Sequence, residues 1–275
     1  MTTFVDSLSY YFVVWVQVYL FGVLCYKSVI GFLIRYNIWQ PGVKLIDAYN
    51  LGWNLWTRFL SSIHASIIAY YALSIINNDY DLSPVNFSFR YSSSDFVHNI
   101  LFFAFGRILP EGIVRFNTLT AFMVAYLSTD CIFMLIMRTE KDIKWTVVHH
   151  LTGGIGMFGF ANGNRFHFNG LYYMVTEITT PFLNLSWAIL HHKSQVTDLG
   201  KVILVFSGVI TWFLFLLVRF LGAIWLFYMV YHNLHILLTY DHWEIIVAFT
   251  VNPLICGLNW WWFYKLTKIV FSKGK

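Results

Sequence analysis

Seven long apolar stretches follow one another along the chain, separated by connections that carry most of the charged residues. A helix needs about 20 predominantly apolar residues to cross the hydrocarbon core of a bilayer, so each stretch predicts a transmembrane helix. The predicted helices are Tyr10–Ile34, Leu55–Ile76, Thr118–Met137, Trp145–Ala161, Phe168–Leu190, Val202–Met229 and Ile245–Val270. The pattern therefore predicts an all-α polytopic membrane protein, a bundle of about seven transmembrane helices.

The fourth stretch is the shortest and the richest in glycine, with Gly153, Gly154, Gly156 and Gly159. Small residues allow helices to approach closely, so we expect this helix to pack tightly among the others. The long connection between the second and third helices contains Phe96–Phe105, where a short re-entrant or interfacial helix would raise the count above seven.

Lysine and arginine are concentrated on one side of this arrangement. With the N-terminus outside, twelve of them fall on the inner loops and the tail, and four fall on the outer loops. Positively charged residues favour the inner side of a membrane, so the distribution predicts an N-out/C-in bundle. An even number of helices would place the basic tail on the other side and spoil the alternation of the later loops.

The composition supports this class. Apolar residues make up 58% of the chain and charged residues only 11%, which excludes a water-soluble globule. The helices leave no room for a soluble catalytic domain. The net charge of +5 comes from basic residues scattered between helices, so nucleic acid is not expected as a partner.

Asp130, His149, His150, Glu177 and Arg219 are ionisable residues that lie well inside the predicted helices. Such residues are costly in hydrocarbon and usually functional. Counted at about 1.5 Å of rise per residue from the inner end of each helix, His149 and His150 lie about 6–8 Å deep, Asn184 about 9 Å and Asp130 about 10 Å. His64 lies about 14 Å deep, Asn259 about 17 Å, and Glu177 and Arg219 about 20–25 Å. Most of them therefore share one level in the inner half, with Glu177 and Arg219 deeper.

Each polar residue has a structural interpretation beside the functional one. Glu177 and Arg219 form either a charge pair that holds two helices together or part of a chemical site. An interhelical hydrogen bond is the simpler role for His64. His149 and His150 point about 100° apart on a helix, so they make poor joint metal ligands, and we expect no metal and no cofactor.

Four segments of the chain share residues with a known family: Trp53–Ala65, Tyr126–Asp130, Val148–Thr152 and Glu177–Trp187. From Trp53 to Lys268 the chain resembles the TLC-domain family, which is named for translocation-associated, ceramide-synthase and neuronal lipofuscinosis proteins. The last segment is similar to the Glu-x-Ser/Thr-x-Pro-Phe-x-Asn-x-x-Trp signature of the branch that does not make ceramide. Arg219 and Asn259 have counterparts in that branch.

The resemblance implies a TLC-like transmembrane bundle at 53–270, preceded by an N-terminal helix and loop at 1–52 and followed by a basic tail at 271–275. It also implies involvement with lipids, because family members acylate sphingoid bases, alter phospholipid composition or assist lipid trafficking. Ceramide synthases carry a His-Asp pair and further acids where this chain has Thr176-Glu177, Pro181 and Asn184. Ceramide synthesis is therefore not expected.

The residues support a hypothesis of acyl transfer. In it His149 or His150, oriented by Asp130, acts as base or nucleophile toward an acyl thioester such as acyl-CoA. Asn184 or Asn259 donates hydrogen bonds to the developing oxyanion. The lipid or acyl cavity of this hypothesis is lined by Glu177, Arg219, Asn184, Asn259 and His64.

The alternative function is that of a non-catalytic accessory subunit, which keeps the lipid-holding bundle within a larger membrane protein complex. Its motivation is the aromatic content of 20%, which would supply contact surface for protein partners. A channel or transporter is less favoured, since no ring of charges or inverted repeat is visible. Membrane lipids are the expected partners, and whether the protein is an enzyme stays open.

The compartment follows only from the resemblance, which favours the endoplasmic reticulum or connected membranes. The mitochondrial inner membrane is the alternative. Asn86 begins an Asn-Phe-Ser sequon on the predicted outer side, so its glycosylation would place that loop in the secretory lumen.

Overall fold

The computed structural model describes residues 2–35, 45–81, 107–108, 110–137, 143–163, 166–191, 198–232, 234–239 and 241–271. Within these residues seven helical rods carry the fold, and a one-turn helix at Leu234–Leu237 lies between the last two. The first four rods are α1 Thr2–Arg35, α2 Leu45–Asn78, α3 Pro110–Met137 and α4 Ile143–Asn162. The last three are composite: α5 comprises His167–Thr176, Glu177–Thr179 and Thr180–His191; α6 comprises Asp198–Leu214, Phe215–Leu221 and Gly222–His232; α7 comprises His242–Ile246, Val247–Val251 and Asn252–Phe271.

Every predicted helix lies within one rod, so the helix count and the fold class are confirmed for the described part of the chain. Five of these rods, α1, α2, α3, α6 and α7, are long and apolar enough to cross a membrane. The insertion direction, N-out/C-in, stays a prediction from the basic residues. Phe96–Phe105 and Asn86 lie outside the described residues.

Two of the composite rods change their winding immediately before a proline. Pro181 follows the 3₁₀ turn Glu177–Thr179 in α5, and Pro253 follows the π turn Val247–Val251 in α7. Proline has no N–H, and in a regular helix its ring clashes with the carbonyl four residues earlier. The chain avoids that clash by tightening in α5 and widening in α7.

Six of the rods form a ring in which each helix packs against the next, in the order α2, α3, α4, α7, α6, α5 and back to α2. α1 lies outside this ring against α2 and α3. At one end of the ring the short strands β1 Tyr80–Asp81 and β2 Arg107–Ile108 pair antiparallel and connect the end of α2 to the start of α3.

α1 is attached to the ring by aromatic side chains and one glycine. Trp15 packs on Phe122 and Tyr126 of α3, with ring centroids 5.4 and 5.0 Å apart. Gly22 faces α2, where a Cβ atom would clash with the indole of Trp56 at Nε1. The indole of Trp56 therefore occupies the space that any larger residue at position 22 would need.

We expect Gly22→Ala to loosen α1 and to lower the free energy of unfolding in detergent by about 1–3 kcal/mol, the usual cost of overpacking. Gly208→Ala is the matched control, because a Cβ at Gly208 meets nothing within 4 Å. The control should have a slightly higher free energy of unfolding than the natural protein, since alanine has a higher helix propensity than glycine. Equal thermal stability of the two variants would show that α1 does not depend on this contact.

Candidate functional site

The ring encloses a cavity of about 370 Å³. All six ring helices contribute to its wall, and among the described residues α1 contributes none. The cavity lies toward the end of the bundle where α7 terminates, because Lys265 and Ile269 line it. The predicted site residues in its wall are His64, Asp130, His149, His150, Glu177, Asn184 and Arg219.

Asn259, the remaining predicted residue, lines a smaller adjacent cavity of about 30 Å³. His149, Glu177 and Arg219 line both cavities, so the two adjoin at these side chains. The sequence placed Glu177 and Arg219 deeper than the other polar residues. In the structure the Arg219 side chain reaches Asn259, where its Nη1 donates to Oδ1 at 3.3 Å.

Arg219 is the centre of the polar network. It lies in the π turn of α6, is 4% exposed, and donates from Nη2 to Oε1 of Glu177 at 3.1 Å. Its Nε donates to Oγ1 of Thr179 at 2.8 Å and to the carbonyl of Thr176 at 3.2 Å. Its Nη1 donates to Oδ1 of Asn259 at 3.3 Å. One guanidinium therefore connects α5, α6 and α7.

Several acceptors of the Arg219 guanidinium lie in or directly after the 3₁₀ turn of α5. Glu177 accepts a second hydrogen bond through Oε2 from Oγ1 of Thr180 at 2.7 Å. Thr180 Oγ1 also lies 3.4 Å from Nη2 of Arg219, which donates to it. The carboxylate is thus held by both an arginine and a hydroxyl, as a buried charge requires.

Asn184 joins α5 to α2. Its Nδ2 donates to the carbonyl of Arg58 and to Oγ of Ser62, both at 3.1 Å, and its Oδ1 accepts from Nη1 of Arg58 at 3.1 Å. The Arg58 guanidinium lies over the ring of Trp187, 3.9 Å from its centroid. Both amide hydrogens of Asn184 are engaged, so the oxyanion-donor role predicted for it is not available in this arrangement.

Asp130 and His150 face each other between α3 and α4. Nδ1 of His150 lies 3.2 Å from Oδ2 of Asp130, within ion-pair range but without the alignment of a hydrogen bond. The other carboxylate oxygen accepts a hydrogen bond from the hydroxyl of Tyr19 at 2.5 Å. The predicted aspartate–histidine pair is therefore brought together, with His150 as its histidine.

The other two histidines sit among aromatic rings. His64 stacks on Tyr126 with centroids 3.8 Å apart, and His149 packs edge-on against Trp262 at 4.9 Å. Nε2 of His64 and Nδ1 of His149 have no hydrogen-bond partner among the described residues. The interhelical hydrogen bond predicted for His64 is replaced by stacking, because the α2–α3 contact at this point is built from aromatic residues.

The wall combines cations, carboxylates and imidazoles with apolar side chains such as Leu127, Leu183 and Phe215. Such a surface can hold an amphipathic molecule and can move a proton at His150. Among the described residues no group of three or more His, Cys, Asp or Glu side chains is arranged to hold a metal ion.

Tyr19 and Arg58 are among the residues of the network that escaped the sequence analysis. Tyr19 lies in a helix whose residues are mostly apolar and aromatic, and nothing in its spacing indicated a partner 111 positions away. Arg58 was counted with the inner basic residues, although the Arg58–Ser62 spacing places it one turn from a polar neighbour on the same helix face.

We expect Arg219→Gln to lower the free energy of unfolding by about 3–5 kcal/mol, because it leaves the Glu177 carboxylate buried without its cation. Removing both charges, in Arg219→Gln with Glu177→Gln, should recover part of that loss. Lys201→Gln is the matched control, since Lys201 pairs with Asp198 at 2.8 Å on the exposed surface and should contribute little. Thermal unfolding of all variants in one detergent measures this; similar losses from both arginine and lysine variants would contradict it.

Comparison with known proteins places this architecture in a family. The model of the TLC domain matches residues 54–268, most of the chain. A protein of Acanthamoeba polyphaga mimivirus that is named for a TLC domain is 26% identical over 151 residues, which are 54% of this chain and 70% of the viral protein. The domain match at residues 54–268 includes all or most of each of the six ring helices. The chain therefore belongs to the TLC-domain family of multi-pass membrane proteins.

Proposed function

We propose that this protein binds a membrane lipid inside the α2–α7 ring, with the polar part of the lipid against the charged wall and an acyl chain along the apolar residues. The observation that carries the proposal is an amphipathic cavity inside a membrane bundle. Its volume of about 370 Å³ lies within the range of small-molecule sites, which is about 300–1,000 Å³. That is room for a headgroup and the first part of a chain.

Unpaired polar atoms in the wall support a ligand with hydrogen-bonding groups. Within the described residues, Nε2 of His64 and Nδ1 of His149 are buried without partners. Leaving such an atom unsatisfied costs about 1–3 kcal/mol. A hydroxyl, amide or phosphate oxygen of a bound lipid would offset that cost, whereas a purely apolar ligand would not.

The first test is native mass spectrometry of the tagged protein, purified from its own cell in the mildest detergent that extracts it. Retained phospholipid or an acyl adduct is the expected result. Stoichiometric co-purification with many other subunits, without lipid, would instead favour the accessory-subunit role in a membrane complex.

A pair of serines on α2 makes this test specific. Ser61 lines the cavity, whereas Ser66 is exposed on the same helix. We expect Ser61→Phe to fill the cavity and abolish lipid retention, and Ser66→Phe to retain lipid as the natural protein does. Equal retention by both variants would place the lipid outside the ring.

Acyl transfer is the second candidate, favoured by the contact of His150 with Asp130 in the cavity wall. His150 would take the proton of an attacking hydroxyl or amine as its bond to the acyl carbon forms. The carbon–sulfur bond of the thioester then breaks, and the leaving thiolate receives the proton.

We expect His150→Gln to reduce transfer from a radiolabelled acyl-CoA by about 10²–10⁴-fold, the usual contribution of a general base. His232→Gln is the control, because His232 is exposed near the opposite end of the bundle, where it stacks on Tyr228. Undiminished transfer in His150→Gln membranes would rule out this chemistry and leave lipid binding as the function.

The cellular compartment is also part of this proposal. We assign the protein to the endoplasmic reticulum or connected membranes, with the mitochondrial inner membrane as the alternative. Fractionation of cells that carry the tagged protein decides between them.

A further inference from the structure

α1 lies outside the ring and outside residues 54–268, the part of the chain that the family model matches. Nevertheless, one of its side chains contacts a residue of the cavity wall from the side that faces away from the cavity. Tyr19 is fully buried, and its hydroxyl donates to Oδ1 of Asp130. Tyr19 does not line the cavity, whereas Asp130 does. The hydroxyl of Tyr19 therefore acts on the wall through that carboxylate, while its ring also meets Trp53, another residue that lines the cavity.

Packing fixes the position of the Tyr19 hydroxyl. The ring stacks on Phe133 of α3, with centroids 4.9 Å apart and planes at 27°. It also meets Trp53 of α2 edge-on at 6.1 Å. Phenylalanine would satisfy both contacts, and a buried hydroxyl is costly unless it is hydrogen-bonded. The hydrogen bond to Asp130 is what distinguishes tyrosine from phenylalanine at this position.

The carboxylate of Asp130 divides its two oxygens between two helices. Oδ1 accepts from Tyr19 of α1, while Oδ2 lies 3.2 Å from Nδ1 of His150 in α4. A hydrogen bond to one oxygen fixes the plane of the carboxylate, and so fixes where the other oxygen points. Without it, the carboxylate is free to rotate about its bond to Cβ.

We propose that Tyr19 is a positioning residue of the cavity: its hydroxyl, supplied by the helix outside the ring, holds Asp130 in the orientation that faces His150 and thereby orients that imidazole. The importance of an oriented imidazole rests on the proposed function. The contact between Tyr19 and Asp130 does not rest on it, so the test measures the NMR signals of His150 directly.

The test is ¹⁵N NMR of histidine-labelled full-length protein in lipid nanodiscs, with the His150 signals identified by their loss in His150→Gln. The ring ¹⁵N shifts report which nitrogen carries a proton and what it contacts. We expect Tyr19→Phe to move the Nδ1 signal of His150 in the same direction as Asp130→Asn does, and by a large part of the same shift. An unmoved signal would overturn the proposal.

A double-mutant cycle separates positioning from general packing. If Tyr19 acts through Asp130, Tyr19→Phe should produce no further shift of the His150 signal in an Asp130→Asn background. The same shift in both backgrounds would mean that the hydroxyl acts on packing, and would overturn the proposal.

Tyr11→Phe is the matched control, since Tyr11 lies on the same helix and packs edge-on against Phe122 at 5.3 Å. Its His150 signals should equal those of the natural protein. The spectra need no acyl donor, and they are recorded whether or not a lipid occupies the cavity. A negative result therefore leaves the Ser61 and Ser66 comparison untouched, and absence of lipid retention leaves this contact untouched.

Discussion

The guanidinium of Arg219 is the constraint on which the interior depends. A charge buried in a membrane bundle must meet an opposite charge and enough acceptors, or it is expelled or destabilises the fold. Here the acceptors come from the 3₁₀ turn of α5 and from Asn259 of α7. The relative positions of α5, α6 and α7 are thus set by one side chain, and the cavity wall follows from them.

Around this polar interior the protein uses aromatic rings as its packing material. Tyr126, His64 and Phe122 form a stack between α2 and α3, and Trp15 closes it from α1. Aromatic pairs stabilise a contact by about 0.5–1.5 kcal/mol beyond the area they bury. In a bilayer, where lipid is as apolar as leucine, such directional contacts and close approach do the work that apolar burial does in water. Packing within the bundle therefore accounts for part of the high aromatic content, while Tyr70, Phe206, Trp261 and other rings are exposed on its outside.

The sequence predicted the helices well and the site in part. Hydropathy located all seven rods because spanning a bilayer requires length and apolarity, which are local properties. α3 begins at Pro110, eight residues before the predicted Thr118, since polar residues at its start continue the helix without being apolar. Polar residues inside apolar helices identified seven of the residues that line the cavity, including its ionisable centre. The role of Asn184, the stacking of His64 and the contact of Tyr19 depend on side-chain directions between helices, which periodicity alone does not supply.

The position of α1 in the sequence also determines when it is synthesised relative to the residues that it contacts. Because the chain is synthesised from its N-terminus, α1 enters the membrane before the helix that carries Asp130, and α4 follows later still. The residue that donates to Asp130 is therefore synthesised before the aspartate, and its histidine partner is synthesised after it. By the time Asp130 is synthesised, the helix that supplies its hydrogen-bond donor already exists, although that helix lies outside the residues that the family model matches.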